Sequence, residues 1–511
     1  MGGRRDSGVP HAYRDRVTHY DLVVIGTGSG NTVVDEAFDG WSVAVVERRT
    51  FGGTCLNRGC IPSKMLVRTA EHVLTTREGA RFGVDAQVAG VDWPAVRDRV
   101  FGRTDHDAAD GERARRDEEQ VTVLLGEARF TGERALQVRL DDGGLAEVTA
   151  DRVVVAVGSR PVVPPVEGLD DLRGPDGPAP AGRPDDPGRA DWYTSDDVMR
   201  MPELPRRLGV LGGGYVGTEL AHVFEALGSQ VVQVESAGTL LADHDAEIAS
   251  SFTAFARTRW DVRTATELAR VSRAGSGGVV LHLATADDDA APAGEVEVDA
   301  LLLAVGRTPN SDRLDVAAAG IETDDDGVVV VDRRQRTSAD GVWALGDVSS
   351  RTPLKHSANQ DARVVRQNLL HPDEPAVSDH RFVPDAVFAE PQVARVGSTE
   401  AQAREQGVDV AVAVVDLADT AYGWAMEDDR RPSRDDGARH LVKLVADRGT
   451  GRLVGAHLVA PQASVLLQPL LLAMSLDLPV AGLARAQYWI HPALGEVVEQ
   501  ALLALEDELA A

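Results

Sequence analysis

The chain has 511 residues, of which 43% are hydrophobic and 26% are charged, a balance typical of soluble globular proteins. Its formal net charge of −28 argues against nucleic acid as a partner, because phosphate binding requires clustered Lys and Arg side chains. No apolar run of about eighteen residues occurs, so we expect neither a transmembrane helix nor a membrane partner.

The N-terminal segment 1–18 is polar and contains arginines but no apolar signal core, so we predict that it forms a disordered tail. The chain holds only two cysteines. Because disulfides persist mainly in oxidising compartments, this scarcity and the lack of an export signal favour the cytoplasm. A thiol pair in that compartment is expected to be catalytic and not structural.

A dinucleotide-binding pattern lies near the start of the chain. A strand is predicted over Asp21–Ile25, followed by a glycine turn, a helix and a second strand over Ser42–Val46 that ends at Glu47. In such a unit the glycines let the backbone approach a pyrophosphate at the helix N-terminus, and the acid accepts a hydrogen bond from a ribose. An ordinary glycine turn remains the alternative, since Asn31 occupies the position of the third glycine. The glycines of this turn are Gly26, Gly28 and Gly30.

Both cysteines, Cys55 and Cys60, lie in the segment 52–62. A structural disulfide is one explanation, but so short a loop constrains the unfolded chain only weakly. A metal site is another, but it usually needs four ligands and the chain has no further thiol. We favour a redox pair, in which one thiol attacks an external disulfide and the other resolves the mixed disulfide.

The spacing of the cysteines restricts the local backbone. Residues five apart in a regular helix are separated by about 7.5 Å along the axis. A disulfide tolerates at most about 7 Å between Cα atoms, so a bonded pair requires an interruption of the helix between them. Gly59 can relax the chain there, and Pro62 suits the first position of a following helix.

The segment from Pro62 to Thr76 is predicted to be helical, which places Lys64 one turn beyond the second cysteine. Residues 78–120 are charged and mostly helical in pattern. The segment Asp171–Arg189 is rich in Pro, Gly, Asp and Ala and is predicted to be a disordered insertion. The strands predicted before this insertion are Val121–Leu125, Ala135–Leu140 and Asp151–Val157, the last of which leads into Gly158.

A second and complete dinucleotide-binding pattern follows. The strand Leu208–Leu211 leads into three glycines in register, a helix that includes Glu219 and ends at Leu227, and a strand over Gln230–Val234 that ends at Glu235. A carboxylate at that strand end can bond a ribose diol but repels a 2′-phosphate, so NADH is favoured over NADPH. The three glycines are Gly212, Gly214 and Gly217.

The C-terminal part begins with a strand over Asp299–Val305 that leads into Gly306, and a short strand further on ends at Asp347. A helix is predicted over Ala358–Leu370. Residues 381–461 then alternate in strand fashion, which indicates a third, α+β domain. The helices predicted to complete this domain span 463–476 and 494–509.

Near the C-terminus, His491 and Glu496 lie five residues apart. Histidine can serve as an acid or a base near neutral pH, and a carboxylate can fix its tautomer. Alone, such a pair is more often an ordinary surface pair. Beside a redox thiol pair it indicates a proton donor for a leaving thiolate, because a free thiol titrates near about 8.5.

The cysteine segment, the two glycine turns, the segment Ala344–Asp347 and the His491–Glu496 pair occur in the order found in the flavoprotein disulfide reductases. The chain resembles this family from about residue 19 to about residue 504, except in the insertion near 171–190 and the segment near 429–438. Within the family, four segments resemble the branch that reduces mycothione. These segments are 26–31, 100–103, 421–428 and 488–494.

The resemblance implies an α/β fold with two Rossmann-like domains, one for FAD and one for NAD(P), and a C-terminal α+β dimerisation domain. It implies a homodimer whose active site is shared between the subunits, and it implies no metal. The implied boundaries are 19–165 and 300–371 for the FAD domain, 195–299 for the NAD(P) domain and 380–511 for the dimerisation domain.

By the same resemblance, Cys55 is the thiol that meets the substrate, and Cys60 is the thiol beside the flavin. Lys64 is paired with Glu219 near the flavin, while His491 and Glu496 come from the other subunit. The residues implied for FAD are Gly26, Gly28, Gly30, Glu47, Gly53, Thr54, Lys64, Gly158 and Asp347, and those implied for NAD(P) are Gly212, Gly214, Gly217, Glu235 and Gly306.

The resemblance therefore implies NAD(P)H-dependent reduction of a low-molecular-weight disulfide, mycothione in particular, through FAD and a Cys55–Cys60 disulfide. One alternative is a dihydrolipoamide dehydrogenase that oxidises dihydrolipoyl groups with NAD, which Glu235 mildly favours. Another is a non-catalytic, flavin-binding interaction protein.

Overall fold

In the computed structural model, residues 17–172, 191–275, 277–287, 291–426 and 437–511 are described. Most of the predicted tail and most of the predicted insertion at Asp171–Arg189 lie outside these residues. The described residues contain both helices and strands, in parallel and antiparallel sheets, which confirms the predicted α/β class.

The bounds of the regular elements follow in chain order. The strands are β1 Thr18–Ile25, β2 Val43–Glu47, β3 Val121–Gly132, β4 Ala135–Leu140, β5 Leu145–Val155, β6 Ser159–Pro161, β7 Trp192–Thr194, β8 Arg207–Leu211, β9 Gln230–Val234, β10 Asp261–Arg263, β11 Thr266–Arg273, β12 Val279–Thr285, β13 Pro292–Val298, β14 Ala300–Leu303, β15 Arg307–Pro309, β16 Val342–Ala344, β17 Asp385–Val387, β18 Gln392–Gly397, β19 Val410–Asp416, β20 Leu441–Asp447 and β21 Arg452–Ala460. The α-helices are α1 Gly53–Asn57, α2 Cys60–Glu78, α3 Trp93–Asp117, α4 Tyr215–Leu227, α5 Ala246–Arg257, α6 Lys355–Leu370, α7 Glu400–Glu405, α8 Ala421–Met426, α9 Ala463–Leu466, α10 Gln468–Ser475 and α11 Glu496–Ala510.

One compact unit comprises the residues up to Pro62, Asp98–Pro161 and Arg307–His380. Its parallel sheet has the order β3-β2-β1-β5-β16, and β4 pairs antiparallel with the far parts of β3 and β5. Parallel sheets are usually buried on both faces, which explains the unbroken buried apolar run 22–25 in β1. The first glycine turn follows the carboxyl end of this strand.

The predicted helix after the first glycine turn is wrong. Two short 3₁₀ turns, Ser29–Thr32 and Glu36–Phe38, occupy its place. Glycine and the β-branched residues at 32–34 are weak helix formers. In addition, the Asp35 carboxylate accepts a hydrogen bond from the Ala37 N–H at 3.0 Å and so starts the second turn. The Arg115 side chain donates to the Val34 carbonyl at 2.7 Å and holds the two turns together.

The other compact unit comprises Ser63–Arg97, Val162–Gly306 and Arg381–Ala511. Its parallel sheet has the order β10-β9-β8-β14-β7, and β11-β12-β13 form a small antiparallel sheet. The strand, helix and strand predicted around the second glycine turn are confirmed by β8, α4 and β9. A five-stranded antiparallel sheet, β17-β18-β21-β20-β19, packs against α11 and shares its core. Among the helices of the described residues, none has the length and apolar character that crossing a membrane requires.

Candidate active site

Backbone packing at the first glycine turn leaves no room for a side chain at Gly26 or at Gly53. Gly26 has a φ of +103°, and a Cβ there would lie 2.3 Å from the Ala156 carbonyl oxygen. Gly53 has a φ of +63°, and its Cβ would lie 2.7 Å from the Cα of Gly28. The turn therefore touches the beginning of α1 backbone to backbone, a few residues before the first cysteine.

Glu47 closes this turn from the end of β2. Its carboxylate accepts hydrogen bonds from the Thr27 N–H at 2.9 Å and the Thr27 hydroxyl at 2.6 Å. The Thr27 hydroxyl oxygen in turn accepts from the Gly52 N–H at 3.1 Å. Thr27 was not predicted as a site residue; its position between the first two glycines of the turn is the signal that could have identified it.

The cysteines lie on either side of a helix break. Cys55 is inside α1 and Cys60 begins α2, so the backbone is interrupted between them, as the spacing argument requires. Pro62 is the third residue of α2 and not its first. A Cβ on Gly59 would lie 3.0 Å from the Thr54 carbonyl oxygen. Any residue larger than glycine would therefore require a small shift of the neighbouring backbone.

Cys55 is half-buried and Cys60 is exposed. The pKa of the Cys55 thiol is raised well above its ordinary value, first by its hydrogen bond with Cys60 and then by burial. The positive charge of Lys355 acts in the opposite direction and lowers this pKa. The side chains of Cys55 and Cys60 therefore interact directly in the folded chain.

Lys355, the first residue of α6, was missed by the sequence analysis. Its Nζ donates to the Ser29 hydroxyl oxygen at 2.8 Å, inside the first glycine turn. The Ser29 hydroxyl donates onward to the Asn359 side-chain oxygen at 3.3 Å, one turn further along α6. Nothing local in the sequence marks this lysine, except that lysine is rare in a chain rich in arginine.

Asp347 is held at the carboxyl end of the same sheet. Its carboxylate accepts a hydrogen bond from the Ser159 hydroxyl at 2.6 Å, and the Arg307 Nε donates to that hydroxyl oxygen at 2.8 Å. Gly158 precedes the serine with a φ of +64° and no atom within 4 Å of a Cβ built there. This edge of the sheet therefore leaves open space beside a fixed carboxylate.

These features fit the adenosine and pyrophosphate of a dinucleotide. A Cβ on Gly28 would meet only the Gly53 Cα, at 3.8 Å, so the backbone is open at the place where a phosphate approaches. Glu47 supplies a fixed acceptor for ribose hydroxyls, and Asp347 supplies one for a polyol chain. The residues that could hold FAD in this unit are therefore mutually compatible.

Lys64 and Glu219 form an ion pair, with Nζ and Oε2 2.6 Å apart. The other carboxylate oxygen of Glu219 accepts a hydrogen bond from the Phe388 N–H at 2.8 Å. The Lys64 ammonium also lies 4.5 Å from the centroid of the Phe388 ring. Phe388 was not predicted, and neither its identity nor its position follows a motif.

The second glycine turn has the geometry of a nucleotide site. Gly212 has a φ of +113°, and its Cβ would lie 2.4 Å from the Ala304 carbonyl oxygen, while a Cβ on Gly217 would lie 2.2 Å from the Gly212 carbonyl oxygen. Gly214 differs, because it caps α4 with no atom within 4 Å of a Cβ and no side-chain cap. This open, uncapped helix N-terminus suits a pyrophosphate.

Glu235 is fixed beside that turn. Its carboxylate accepts from the Gly213 N–H at 2.5 Å and from the Ala237 N–H at 2.7 Å. The negative charge is therefore held at the end of β9, where a ribose would bind. Gly306, which lies shortly after the end of β14, has a φ of +125° and no atom within 4 Å of a Cβ built there.

His491 and Glu496 are brought together at the start of α11. The His491 Nδ1 lies 2.6 Å from Glu496 Oε1, and Glu496 Oε2 accepts from the Ala493 N–H at 3.2 Å. The hydrogen bond with His491 is the largest cause that lowers the pKa of the Glu496 carboxyl. The imidazole is 71% exposed, so its other nitrogen is free to face a substrate.

The comparisons with known proteins identify the family. The family model described as pyridine nucleotide-disulphide oxidoreductase matches residues 20–362, and the model of that family's dimerisation domain matches residues 383–502. The chain belongs to the pyridine nucleotide-disulphide oxidoreductase family. Its members are FAD-dependent enzymes that use NAD(P)H, which confirms both expected cofactors.

Several relatives cover almost the whole chain. Mycothione reductase of Mycobacterium tuberculosis (strain H37Rv) is 46% identical over 95% of this chain and 99% of the relative, which confirms the expected resemblance. Dihydrolipoyl dehydrogenase of Mycobacterium bovis is 32% identical over 95% of this chain and 97% of the relative. The solved structure of the HOCl-induced flavoprotein disulfide reductase RclA from Escherichia coli, as a Cu(II) complex, matches with a TM-score of 0.78 and 29% identity over 95% of this chain and 99% of that chain.

Within the described segments, no group of three or more His, Cys, Asp or Glu side chains is arranged to hold a metal ion. The predicted site residues instead form hydrogen-bonded groups of two or three. These groups are the cysteine pair, the Lys64–Glu219 pair, the His491–Glu496 pair and the two carboxylates fixed beside glycine turns.

Proposed function

We propose that this protein reduces mycothione to mycothiol with electrons from NAD(P)H, through FAD and a redox-active Cys55–Cys60 disulfide. The observation that carries the proposal is the difference between relatives of equal coverage. Identity is 46% with a mycothione reductase and 32% with a dihydrolipoyl dehydrogenase, each over 95% of this chain. The paired thiols and the exposed imidazole supply the chemistry that such a reduction needs.

We assign the two dinucleotides to the two glycine turns. FAD would be held by the turn at 26–30 with Glu47, Gly53, Thr54, Gly158 and Asp347, and Lys64 would lie near it. The nicotinamide nucleotide would be held by Gly212, Gly214, Gly217, Glu235 and Gly306. Bound FAD supplies a relay that accepts a hydride from the nicotinamide and delivers two electrons to the disulfide.

The cysteines have different roles in this proposal. Reduction converts the disulfide to one thiol and one thiolate. The Cys55 thiolate attacks the substrate disulfide and forms a mixed disulfide, which releases the first substrate thiolate. His491 of the partner subunit, oriented by Glu496, protonates that leaving group. Cys60 then attacks Cys55 of the mixed disulfide, releases the second thiol and restores the internal disulfide.

A homodimer with a shared active site is part of the proposal. The family's dimerisation domain covers residues 383–502, and large apolar side chains are exposed within it. Tyr488 and Ile490, which shortly precede His491 in the chain, are 103% and 80% exposed. The proposed domain boundaries are 19–165 and 300–371 for the FAD domain, 195–299 for the NAD(P) domain and 380–511 for the dimerisation domain. We also propose a cytoplasmic location, where a thiol pair is kept reducible.

NADH is the proposed electron donor. The fixed charge of Glu235 would repel a 2′-phosphate, and Ser236 and Ala237 after it offer no basic side chain. An NADH preference is also the feature that a dihydrolipoamide dehydrogenase would share. Substrate and nucleotide must therefore be tested together.

The deciding experiment is a steady-state panel with mycothione, lipoamide and glutathione disulfide, each with NADH and NADPH. We expect the highest kcat/KM with mycothione and NADH. Preferred turnover of lipoamide would reject the proposed substrate, and a clear NADPH preference would reject the role of Glu235. A protein that binds flavin but turns over none of the disulfides would support the interaction-protein alternative.

A further inference from the structure

Lysine is rare in this chain, and its three positions are informative. The sequence contains 53 Lys and Arg residues, of which only Lys64, Lys355 and Lys443 are lysines. Lys64 is paired with a buried glutamate, and Lys443 is buried among carboxylates. Lys355 differs from both, since it forms no ion pair with a carboxylate of the described residues and donates to the Ser29 hydroxyl oxygen instead.

The position of Lys355 is fixed from two sides. It is the half-buried first residue of α6, and the hydroxyl it binds is itself tied to Asn359 on the next turn of that helix. The loop that contains Ser29 also meets the start of α1 through the contact of Gly28 with Gly53. The ammonium is therefore anchored beside the loop that touches the helix of Cys55.

The proposed reaction creates a negative charge on the cysteine pair. A hydride equivalent carries two electrons and one proton. When the disulfide accepts it, the S–S bond breaks, one sulfur takes the proton and the other becomes a thiolate, while NAD(P)H becomes NAD(P)⁺. The reduced pair therefore carries one more negative charge than the oxidised pair. Half-burial of Cys55 makes that charge unfavourable unless a cation is near.

We propose that Lys355 is the counter-charge for the thiolate formed when the Cys55–Cys60 disulfide is reduced. This inference rests on the proposed function. Lys355 acts through its charge and through its anchor on Ser29, so it is a positioning residue and not a catalytic one. A compact ammonium suits this task, because a lysine is a point charge whereas an arginine spreads its charge over a planar fork.

The groups that act on Cys55 can be named. Among the described residues they are the Cys60 thiol, which raises the pKa of Cys55, and the Lys355 ammonium, which lowers it. In the proposed dimer, His491 of the partner subunit is a further one. The effect of Lys355 must therefore be measured with the dimer and its histidine intact.

The test measures the thiolate directly. The FAD-loaded protein is reduced with tris(2-carboxyethyl)phosphine, and the rate of Cys55 alkylation by iodoacetamide is followed against pH by peptide mass spectrometry. In Lys355→Met we expect the midpoint to rise by about one pH unit or more, which slows alkylation about tenfold at pH values below the midpoint. Lys355→Arg retains the charge and is expected to keep a midpoint close to that of wild type. Arg363→Met removes an exposed charge further along α6 and is the matched control, with no shift expected.

Three results would overturn the inference. One is a Lys355→Met midpoint equal to that of wild type, and another is an equal shift in Arg363→Met. The third is loss of FAD from Lys355→Met with an unchanged Cys55 midpoint, which would assign the lysine to the dinucleotide phosphate. Lys355→Gln replaces the methionine variant if that variant does not fold. If NAD(P)H fails to reduce wild-type protein, the proposed function is wrong, yet the comparison after phosphine reduction still decides the role of Lys355.

Discussion

The ammonium of Lys64 lies 2.6 Å from the carboxylate of Glu219, 155 residues further along the chain. The carboxylate is only 7% exposed and the lysine side chain 35% exposed. The second oxygen of Glu219 accepts the Phe388 N–H at 2.8 Å, so one carboxylate joins α2, α4 and the segment after β17 within the same compact unit.

Glu219→Gln is expected to lower the free energy of unfolding by about 2 kcal/mol, because it leaves a partly buried ammonium without its counter-ion. Lys64→Met combined with Glu219→Gln should lose less than Glu219→Gln alone, since no unpaired charge remains. Chemical denaturation of the FAD-loaded protein measures both. The control is Glu71→Gln, which breaks the more exposed Arg68–Glu71 pair of the same N–O distance, 2.6 Å, and should cost at most about 0.5 kcal/mol. Equal losses in Glu219→Gln and Glu71→Gln would contradict the argument.

Cys55→Ala is expected to abolish reduction of every disulfide substrate, because the attacking thiolate is gone. Oxidation of NADH by an artificial quinone acceptor should persist, since that path does not need the thiol. In Cys60→Ala the reaction should instead stop after Cys55 has attacked the substrate once. One thiol of the substrate should then stay bound to Cys55 as a mixed disulfide, which mass spectrometry detects as a mass increase. If Cys55→Ala retains disulfide turnover while Cys60→Ala shows no adduct, the roles are assigned in the wrong order.

Gly214→Ala is expected to weaken nicotinamide nucleotide binding about tenfold, or about 1.4 kcal/mol, without lowering the melting temperature. The protein has room for the new methyl group, because no atom lies within 4 Å of it, but the methyl would occupy the space proposed for a phosphate. Gly212→Ala is the comparison. Its φ of +113° and the carbonyl oxygen 2.4 Å away should cost more than about 1 kcal/mol of stability. Fluorescence titration and thermal unfolding separate the two effects, and a destabilised Gly214→Ala would refute the distinction.

Features determined by neighbouring residues could be predicted from the sequence, whereas features determined by distant contacts could not. The strands and helix around Gly212–Gly217 were predicted within one residue, because glycine turn, helix and terminal acid are all local signals. The helix after Gly26 was wrong, since Asp35 and the distant Arg115 favour short turns there. Lys355 was missed because its partner Ser29 lies 326 residues away, and no periodicity records such a contact.

His244 is a buried histidine with an acidic side chain near one of its ring nitrogens. Its Nδ1 has no hydrogen-bond partner within the described residues, and its Nε2 lies 3.7 Å from the Asp385 carboxylate. Burial is the largest cause that lowers its pKa to about 3, followed by the charges of Arg395 and His457. The folded protein therefore keeps this imidazole neutral at pH values where the unfolded chain protonates it.

His244→Gln is expected to make stability less sensitive to acid. Because the folded pKa of about 3 lies below the unfolded value near 6.5, the unfolded state binds the proton first. The stability associated with the neutral His244 imidazole is fully present above about pH 6.5 and is lost progressively as the pH falls toward 3. Each protein is compared with itself at neutral pH. Between neutral pH and about pH 5, the free energy of unfolding of wild type should fall by about 2 kcal/mol more than that of His244→Gln. Denaturant unfolding at the two pH values measures this difference. Exposed His106→Gln should follow wild type, and a His244→Gln variant that also follows wild type would show that His244 is not the buried acid-sensitive group.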